Sequence, residues 1–302
     1  MKTLLLIDAN SLIHRAFHAL PPFTSPKGEP TGALYGLASI LLKIKKEQKP
    51  DYWAAAFDRP EPTFRKEIFK EYKIQRPPAP KELISQIIQA RELLKNFGIK
   101  FFEQVSFEAD DLIASLVKRF KKEKNLKIVI LTGDLDTLQL VAADKVVVET
   151  PKKGVSEMVI YNESAVEKRY SLNPEQLPDY KALVGDPSDN IPGVFSIGPK
   201  TAGRILGQFY NLENLYQKIK DPAYAGASAG KQKLFQKFLA SENQALFSKK
   251  LVLLRSDIEI KASLEDLVCQ DLDNSLMEYF KYLGFQSLIS RISSQKPPAA
   301  LF

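Results

Sequence analysis

Ser106-Phe107-Glu108-Ala109-Asp110-Asp111 is the stretch that decides how the chain is read. It heads a segment in which Leu112, Ile113, Leu116, Val117 and Phe120 recur at helical spacing. Ser106 reads as the N-cap, so the acids fall in the first turn, where the helix dipole favours negative charge. Glu108 lies four residues before Leu112, and Asp110 lies three before Ile113 and seven before Val117. These two acids therefore continue the apolar stripe and not the solvated face. Two like charges ~4 Å apart repel by about 4 kcal/mol at an effective dielectric near 20. Carboxylates aimed at a core boundary need a cation to meet them. Many acidic helix starts only support the helix, so the rest of the chain has to decide.

Composition limits the choices. A chain of 302 residues, 44% hydrophobic and 26% charged, is globular material sufficient for one large domain or two smaller ones. The apolar run Leu4-Leu5-Leu6-Ile7 stops at Asp8, too early for a signal sequence, and no run reaches membrane length. The single Cys269 excludes an internal disulfide and suits a reducing, cytoplasmic compartment. With one Cys and only His14 and His18, a structural zinc site has too few ligands. Any metal must be held by oxygen, which points to magnesium or manganese. The net charge of +7 suggests a polyanionic partner, and more so if acids cluster in one pocket inside a basic exterior.

The acids do fall in a pattern. Residues 2–7, 52–57, 99–102 and 126–131 read as buried strands. Helical segments over 31–48, 81–97 and from 106 alternate with them, which predicts an α/β fold with a mainly parallel sheet. Asp8, Asp58 and Asp134 each follow a different strand, and ligands of parallel sheets gather at the strands' carboxyl ends. A single acid after a strand is often just a turn former, but three of them plus the 106 helix start make a coincidence that turns do not explain. Asp136, Asp186 and Asp189 extend the set. So many carboxylates sharing one pocket imply divalent cations, and two magnesium ions ~4 Å apart suit in-line phosphoryl displacement.

Beyond about residue 160 the strand signals fade and helical ones take over. We place a boundary near 170, giving a core at 1–170, a helical region at 171–290 and a tail at 291–302, with a Gly/Ala/Ser-rich loop at 221–230. In Gly193-Val194-Phe195-Ser196-Ile197-Gly198-Pro199-Lys200-Thr201, Gly198 suits a positive-φ turn and Pro199 the first helical position. Such a turn offers free backbone N–H groups to phosphate, and it has the form of a helix-hairpin-helix that grips the duplex backbone. Residues 64–76 interleave Arg65, Lys66, Lys70, Lys73 and Arg76 with Phe64, Phe69 and Tyr72, a composition suited to single-stranded nucleic acid and equally to a solvated helix.

From Leu4 to about Arg255 the chain resembles the flap endonuclease family, in the form of the 5′ nuclease domain that begins bacterial DNA polymerase I. The likeness rests on Leu6-Ile7-Asp8-Ala9-Asn10-Ser11, Arg15-Ala16-Phe17-His18-Ala19, and Gly28-Glu29-Pro30-Thr31-Gly32. It continues through Phe57-Asp58 with Thr63-Phe64-Arg65, Tyr72-Lys73 with Arg76-Pro77-Pro78, and Glu108-Ala109-Asp110-Asp111. Thr132-Gly133-Asp134 with Asp136, Gly185-Asp186 with Ser188-Asp189-Asn190, and Ile197-Gly198 with Lys200-Thr201-Ala202 complete it. The resemblance implies a PIN-like fold carrying a helical arch near 64–97. It implies metal-dependent release of 5′ fragments from flapped, branched or nicked DNA, and from RNA paired to DNA, by a monomer. It implies one metal on Asp8, Asp58, Glu108 and Asp110, and a looser one on Asp111, Asp134, Asp136, Asp186 and Asp189, magnesium in both with manganese as a substitute. Lys73 and Arg76 would polarise the scissile phosphate and Tyr72 would stack on a base. Arg15 and Arg65 would contact DNA, and Gly193, Gly198, Lys200 and Thr201 would hold the duplex, around a potassium ion.

Three rival readings share parts of this pattern. A PIN-like ribonuclease shares the acidic edge, but its chains are usually shorter and lack a hairpin like 193–202. A non-catalytic junction clamp would bind flapped duplex and leave it uncut in magnesium. A phosphatase built on Asp8 wants a second Asp two residues on, where this chain has Asn10.

Overall fold

The computed structural model describes residues 1–153, 157–221 and 229–293. Most of the loop expected at 221–230 and the tail beyond 293 lie outside those residues, while 291–293 form the last turn of a helix.

Six strands form one sheet: β1 (Lys2–Asp8), β2 (Tyr52–Ala56), β3 (Lys100–Phe102), β4 (Leu126–Leu131), β5 (Val146–Lys153) and β6 (Glu157–Tyr161). Their order is β3-β2-β1-β4-β5-β6. All pairings are parallel except β5 with β6. β1 runs from Leu4 onward with no side chain reaching water, as its unbroken apolar run requires. The chain leaves β1 toward β2 on one side and returns as β4 on the other, so β1 and β4 flank the topological switch point where such sheets open a crevice. The antiparallel hairpin β5–β6 was not foreseen, because Thr150, Pro151 and the lysines after it do not read as a strand. Edge strands tolerate Pro and Lys, which explains the weak signal.

Side-chain alternation gives the sheet two covered faces. Leu5, Ile7, Trp53, Ala55, Val129 and Leu131 meet α1 (Ala9–Ala19), α2 (Gly32–Glu47) and α4 (Lys81–Asn96). Leu4, Leu6, Ala54, Ile128, Ile130 and Val148 meet α5 (Ala109–Phe120) on the other. A third cluster joins α7 (Leu177–Val184), α8 (Pro199–Phe209), α9 (Leu212–Ile219), α10 (Ala229–Ala240) and α11 (Glu242–Val252) into a separate helical body. α12 (Asn274–Leu283) and α13 (Gln286–Ser293), expected to extend that body, instead pack Leu276, Phe280 and Leu288 onto the first face of the sheet.

The arch expected over 64–97 does not stand free. Its first part is a single short helix, α3 (Phe64–Ile68), followed by turns, and α4 lies flat on the core through Leu83, Ala90, Leu93 and Leu94. Burying each of those leucines is worth about 1.5–3 kcal/mol, which outweighs anything an exposed arch would recover.

Two glycines hold the helical body to the loop that follows α7. A Cβ on Gly193 would come within 2.5 Å of Val184 C and O, and Gly185 sits at φ +85 facing the Gly193 backbone. Gly193 therefore has a backbone-packing role that by itself requires glycine there. Gly193→Ala should cost about 1–3 kcal/mol through forced backbone displacement, read as a lowered thermal midpoint. An unchanged midpoint would contradict the close approach.

Candidate active site

The sheet's carboxyl edge gathers acids from segments far apart in sequence. Asp8 ends β1 and caps α1, its Oδ1 accepting from Ser11 N at 3.0 Å and its Oδ2 from Thr132 Oγ1 at 2.7 Å. Asp58 follows β2 and accepts from Ala109 N at 2.7 Å, tying that strand end to the start of α5. Asp134 follows β4 and caps the short turn Leu135–Leu140 through Asp136 N, at 2.9 Å. With Glu108 and Asp110 these acids line a cavity of about 230 Å³, joined by Asn10, His14, Lys73 and Arg76.

α5 begins differently from expectation. Glu108, not Ser106, is the N-cap, and Ser106 takes φ 72 in the loop before it. That two-residue shift, about half a turn, changes the roles of the acids. Asp111 is wholly buried, and Arg65, itself 2% exposed, grips it with two bonds of 2.6 and 2.8 Å. Glu108 N and Arg255 N donate to the same carboxylate, so its oxygens are spoken for. Asp111 is thus a structural anion and not a ligand, and Arg65, which also donates to Leu251 O at 2.7 Å, is not a DNA contact. Its planar fork matches a carboxylate, which suits it to a buried pair.

Tyr72 is corrected likewise. Tyr72 is 4% exposed and its hydroxyl shares its one proton between Glu108 Oε2 and Asp189 Oδ2, each 3.1 Å away, leaving no face for a base. Phe69 packs on Phe247, and Phe64 lies against Arg65 and Arg255. The aromatics of 64–76 hold this segment down inside the molecule, and its cations take the acidic edge. Lys73 reaches Glu108 at 3.0 Å, and Arg76 pairs with Asp189. The backbone joins in, with Lys73 N donating to Asp189 O at 2.9 Å.

Asp186 and Asp189 come from the loop after α7, and Asp136 from the turn after β4. Between Asp136 and Asp186 stands Lys181, bonded to both and 2.7 Å from the latter. Sequence reading passed over Lys181, although its place five residues before Asp186 near a helix end was a usable signal. It also passed over Thr132 and His14.

The electrostatics record the crowding. Burial first, then the Asp58 charge, raises Asp8 to about 7. Burial and the Asp134 charge lift Asp136 to about 7 against the pull of Lys181. Asp110 is raised well above its ordinary value by burial and by Asp8, Asp134 and Asp136, and its Oδ1 is buried without a partner. Among the described residues no three acids close around one point as a finished coordination shell. The basic side chains draw Glu108, Asp189, Asp136 and Asp186 toward themselves, which accounts for that. An orphaned carboxylate oxygen beside Asp8 and Asp58, in an all-oxygen donor set, fits a hard divalent ion.

At the hairpin, Gly198, Pro199 and Lys200 are exposed at the start of α8, with Thr201 partly covered. The positive φ expected of Gly198 belongs to Ser196, at φ 62, while Gly198 has φ −98. Lys237, 3.5 Å from Ser196 Oγ, adds a charge that sequence reading missed. Arg15 donates to Lys152 O at 3.0 Å and lies half-buried at the rim.

Comparison with known proteins shows the family and the fold. The family model for the 5′-3′ exonuclease N-terminal resolvase-like domain matches residues 3–171, and that for the 5′-3′ exonuclease C-terminal SAM fold matches residues 172–275. The chain belongs to the 5′-3′ exonuclease family, whose members are nucleases. It is 37% identical to the 5′-3′ exonuclease of Aquifex aeolicus, over 97% of this chain and 96% of that one. It is 40% identical to DNA polymerase I of Bacillus subtilis over 99% of this chain but 33% of the relative, so it spans about a third of that protein's length. A T5 flap endonuclease variant solved with DNA and metal ions shares the fold, with TM-score 0.67, 24% identity, and coverage of 97% of this chain and 100% of that one.

Two outcomes test the site. A raised carboxylate pKa means that the folded chain binds protons more tightly than the unfolded one between 3.8 and about 7. Stability of the metal-free protein should therefore fall as pH rises through that window. Saturating magnesium should remove the slope, and unfolding midpoints across pH would show it. Asp111→Asn should lower stability by about 3–5 kcal/mol as the buried pair breaks, yet leave manganese binding unchanged. Calorimetric titration with manganese decides between anchor and ligand.

Proposed function

We propose that the chain is a structure-specific 5′-3′ exonuclease and flap endonuclease, cutting DNA, and RNA in RNA–DNA hybrids, in primer removal and repair. One observation carries this: acids from three strand ends and a helix start share a cavity at the switch point, with Lys73 and Arg76 at its mouth. A pocket for a small uncharged molecule would not be built from mutually repelling carboxylates.

Asp8, Asp58, Glu108 and Asp110 would hold one divalent ion, magnesium or manganese in its place. Asp134, Asp136, Asp186 and Asp189 would hold a second, with Asp111 withdrawn from the set. When bound, such ions supply Lewis acidity for phosphodiester hydrolysis. The chain's own residues do the rest. Lys73 and Arg76 are tethered by acids in the free protein and can swing to a phosphate oxygen, placing positive charge where negative charge grows during displacement. Asn10 accepts from Asp58 N at 3.3 Å and so holds that acid's backbone in place. Desolvation, His18 and Arg76 all lower the pKa of His14.

The start of α8, with Gly198, Lys200, Thr201 and Lys237, would grip duplex backbone phosphate irrespective of sequence. A potassium ion held by carbonyls would fit that grip. Among the described residues no helix is long and apolar enough to cross a membrane. The proposal is completed by a cytoplasmic monomer working on flapped or nicked duplex.

A labelled double-flap substrate, incubated with and without magnesium, tests the proposal through the position of the cut. Asp110→Asn should slow cleavage by about a thousandfold while flap affinity changes little. Near-normal turnover in that variant would remove the metal role. A normally bound but uncut flap with the unaltered protein would favour a junction clamp instead.

A further inference from the structure

The acids of the site are unequally neutralised. Glu108 and Asp189 meet Lys73 and Arg76, and Asp136 and Asp186 share Lys181. Arg65 is largely spent on Asp111. Asp8, Asp58 and Asp110, by contrast, form no ion pair among the described residues, and Asp110 keeps a buried oxygen with no partner. Three of the four inner acids therefore lack a paired cation among the described residues, whereas Asp136 and Asp186 of the outer set already share one.

The details of Lys181 sharpen the contrast. It projects from the last turn of α7, one quarter exposed at its side chain. Its ammonium bonds Asp186 Oδ2 at 2.7 Å and Asp136 Oδ1. The other oxygen of Asp186 is taken by Ser188, through N at 2.9 Å and Oγ at 2.6 Å. Asp186 thus has one oxygen to offer a bridging cation, and Lys181 occupies it. A structural salt bridge has a different setting here. Lys249 also bridges two acids, Asp179 and Glu213, but Asp179 caps Leu212 N and stands apart from the site acids, whereas Asp136 lies close enough to Asp134 and Asp110 to feel their charge.

We propose that Lys181 is the resident counter-ion of the outer acid pair and competes with divalent metal for Asp136 and Asp186. Metal then fills the inner acids first. The outer position loads once Lys181 is drawn to a different anion, and the phosphate backbone of bound DNA is the anion the site is built to receive. Lys181 is a positioning residue in this scheme, one that ties occupancy of the second metal to the presence of substrate. The inference rests on Asp136 and Asp186 being metal ligands, as read under Proposed function.

Manganese binding to the full, DNA-free chain provides the test, read by electron paramagnetic resonance at about pH 8, above the raised carboxylates. The unaltered protein should show one tight site and one weak one. In Lys181→Met the weak site should tighten by about tenfold or more, and in Lys181→Arg it should stay weak. Equal second-site affinity in the unaltered protein and Lys181→Met would overturn the competition. Asp186→Asn then separates the two claims. If it abolishes the second site, the outer acids are ligands and only the role of Lys181 is wrong; if it does not, the ligand reading falls as well. Should Lys181→Met not fold, nitrogen NMR of the lysine ammonium groups in the unaltered protein replaces it. The Lys181 signal should move with the second equivalent of magnesium, and a signal unmoved through both equivalents would refute the proposal.

Discussion

Repulsion among carboxylates at one edge of a parallel sheet governs the arrangement of the rest of the molecule. Asp8, Asp58 and Asp134 are delivered by strands in fixed register, so the fold itself prevents them from moving apart. Burial first, and the neighbouring carboxylates after it, raise the proton affinity of Asp8, Asp110 and Asp136. Anything that lowers the local potential becomes a structural element. In the free chain this includes Lys73, Arg76 and Lys181 around the cavity and Arg65 beneath it.

These cations act by different means. Arg65 is buried with Asp111 and joins α3, α5 and the last turn of α11, so it fixes where the basic segment begins. The pair is a permanent fixture, because separating it would strand a charge in the interior. Lys73, Arg76 and Lys181 are partly exposed and can exchange their carboxylates for other anions at small cost. A molecule that must admit both metal and phosphate has reason to keep exchangeable cations at the mouth and a locked one below.

Much of the sheet and its acidic edge was legible in sequence. Apolar runs ending in Asp8, Asp58 and Asp134 mark three strand ends, and buried parallel strands leave no polar residues to obscure them. The β5–β6 hairpin was not legible, because an edge strand takes Pro and Lys without penalty. The phase of α5 misled as well. A shift of the cap from Ser106 to Glu108 is a matter of φ and ψ in a loop, and residue types constrain that weakly.

Sequence alone determined that this chain places carboxylates at the ends of several strands, in a family whose members are nucleases. It could do so because strand ends and residue types are local properties. Tertiary structure decided which acids face the cavity and which face an arginine. It removed Asp111 and Tyr72 from the working set, packed 81–96 onto the core, and set Lys181 between Asp136 and Asp186. Those choices depend on which opposite charge lies within reach across long separations, and pairing of that kind exists only once the chain is folded.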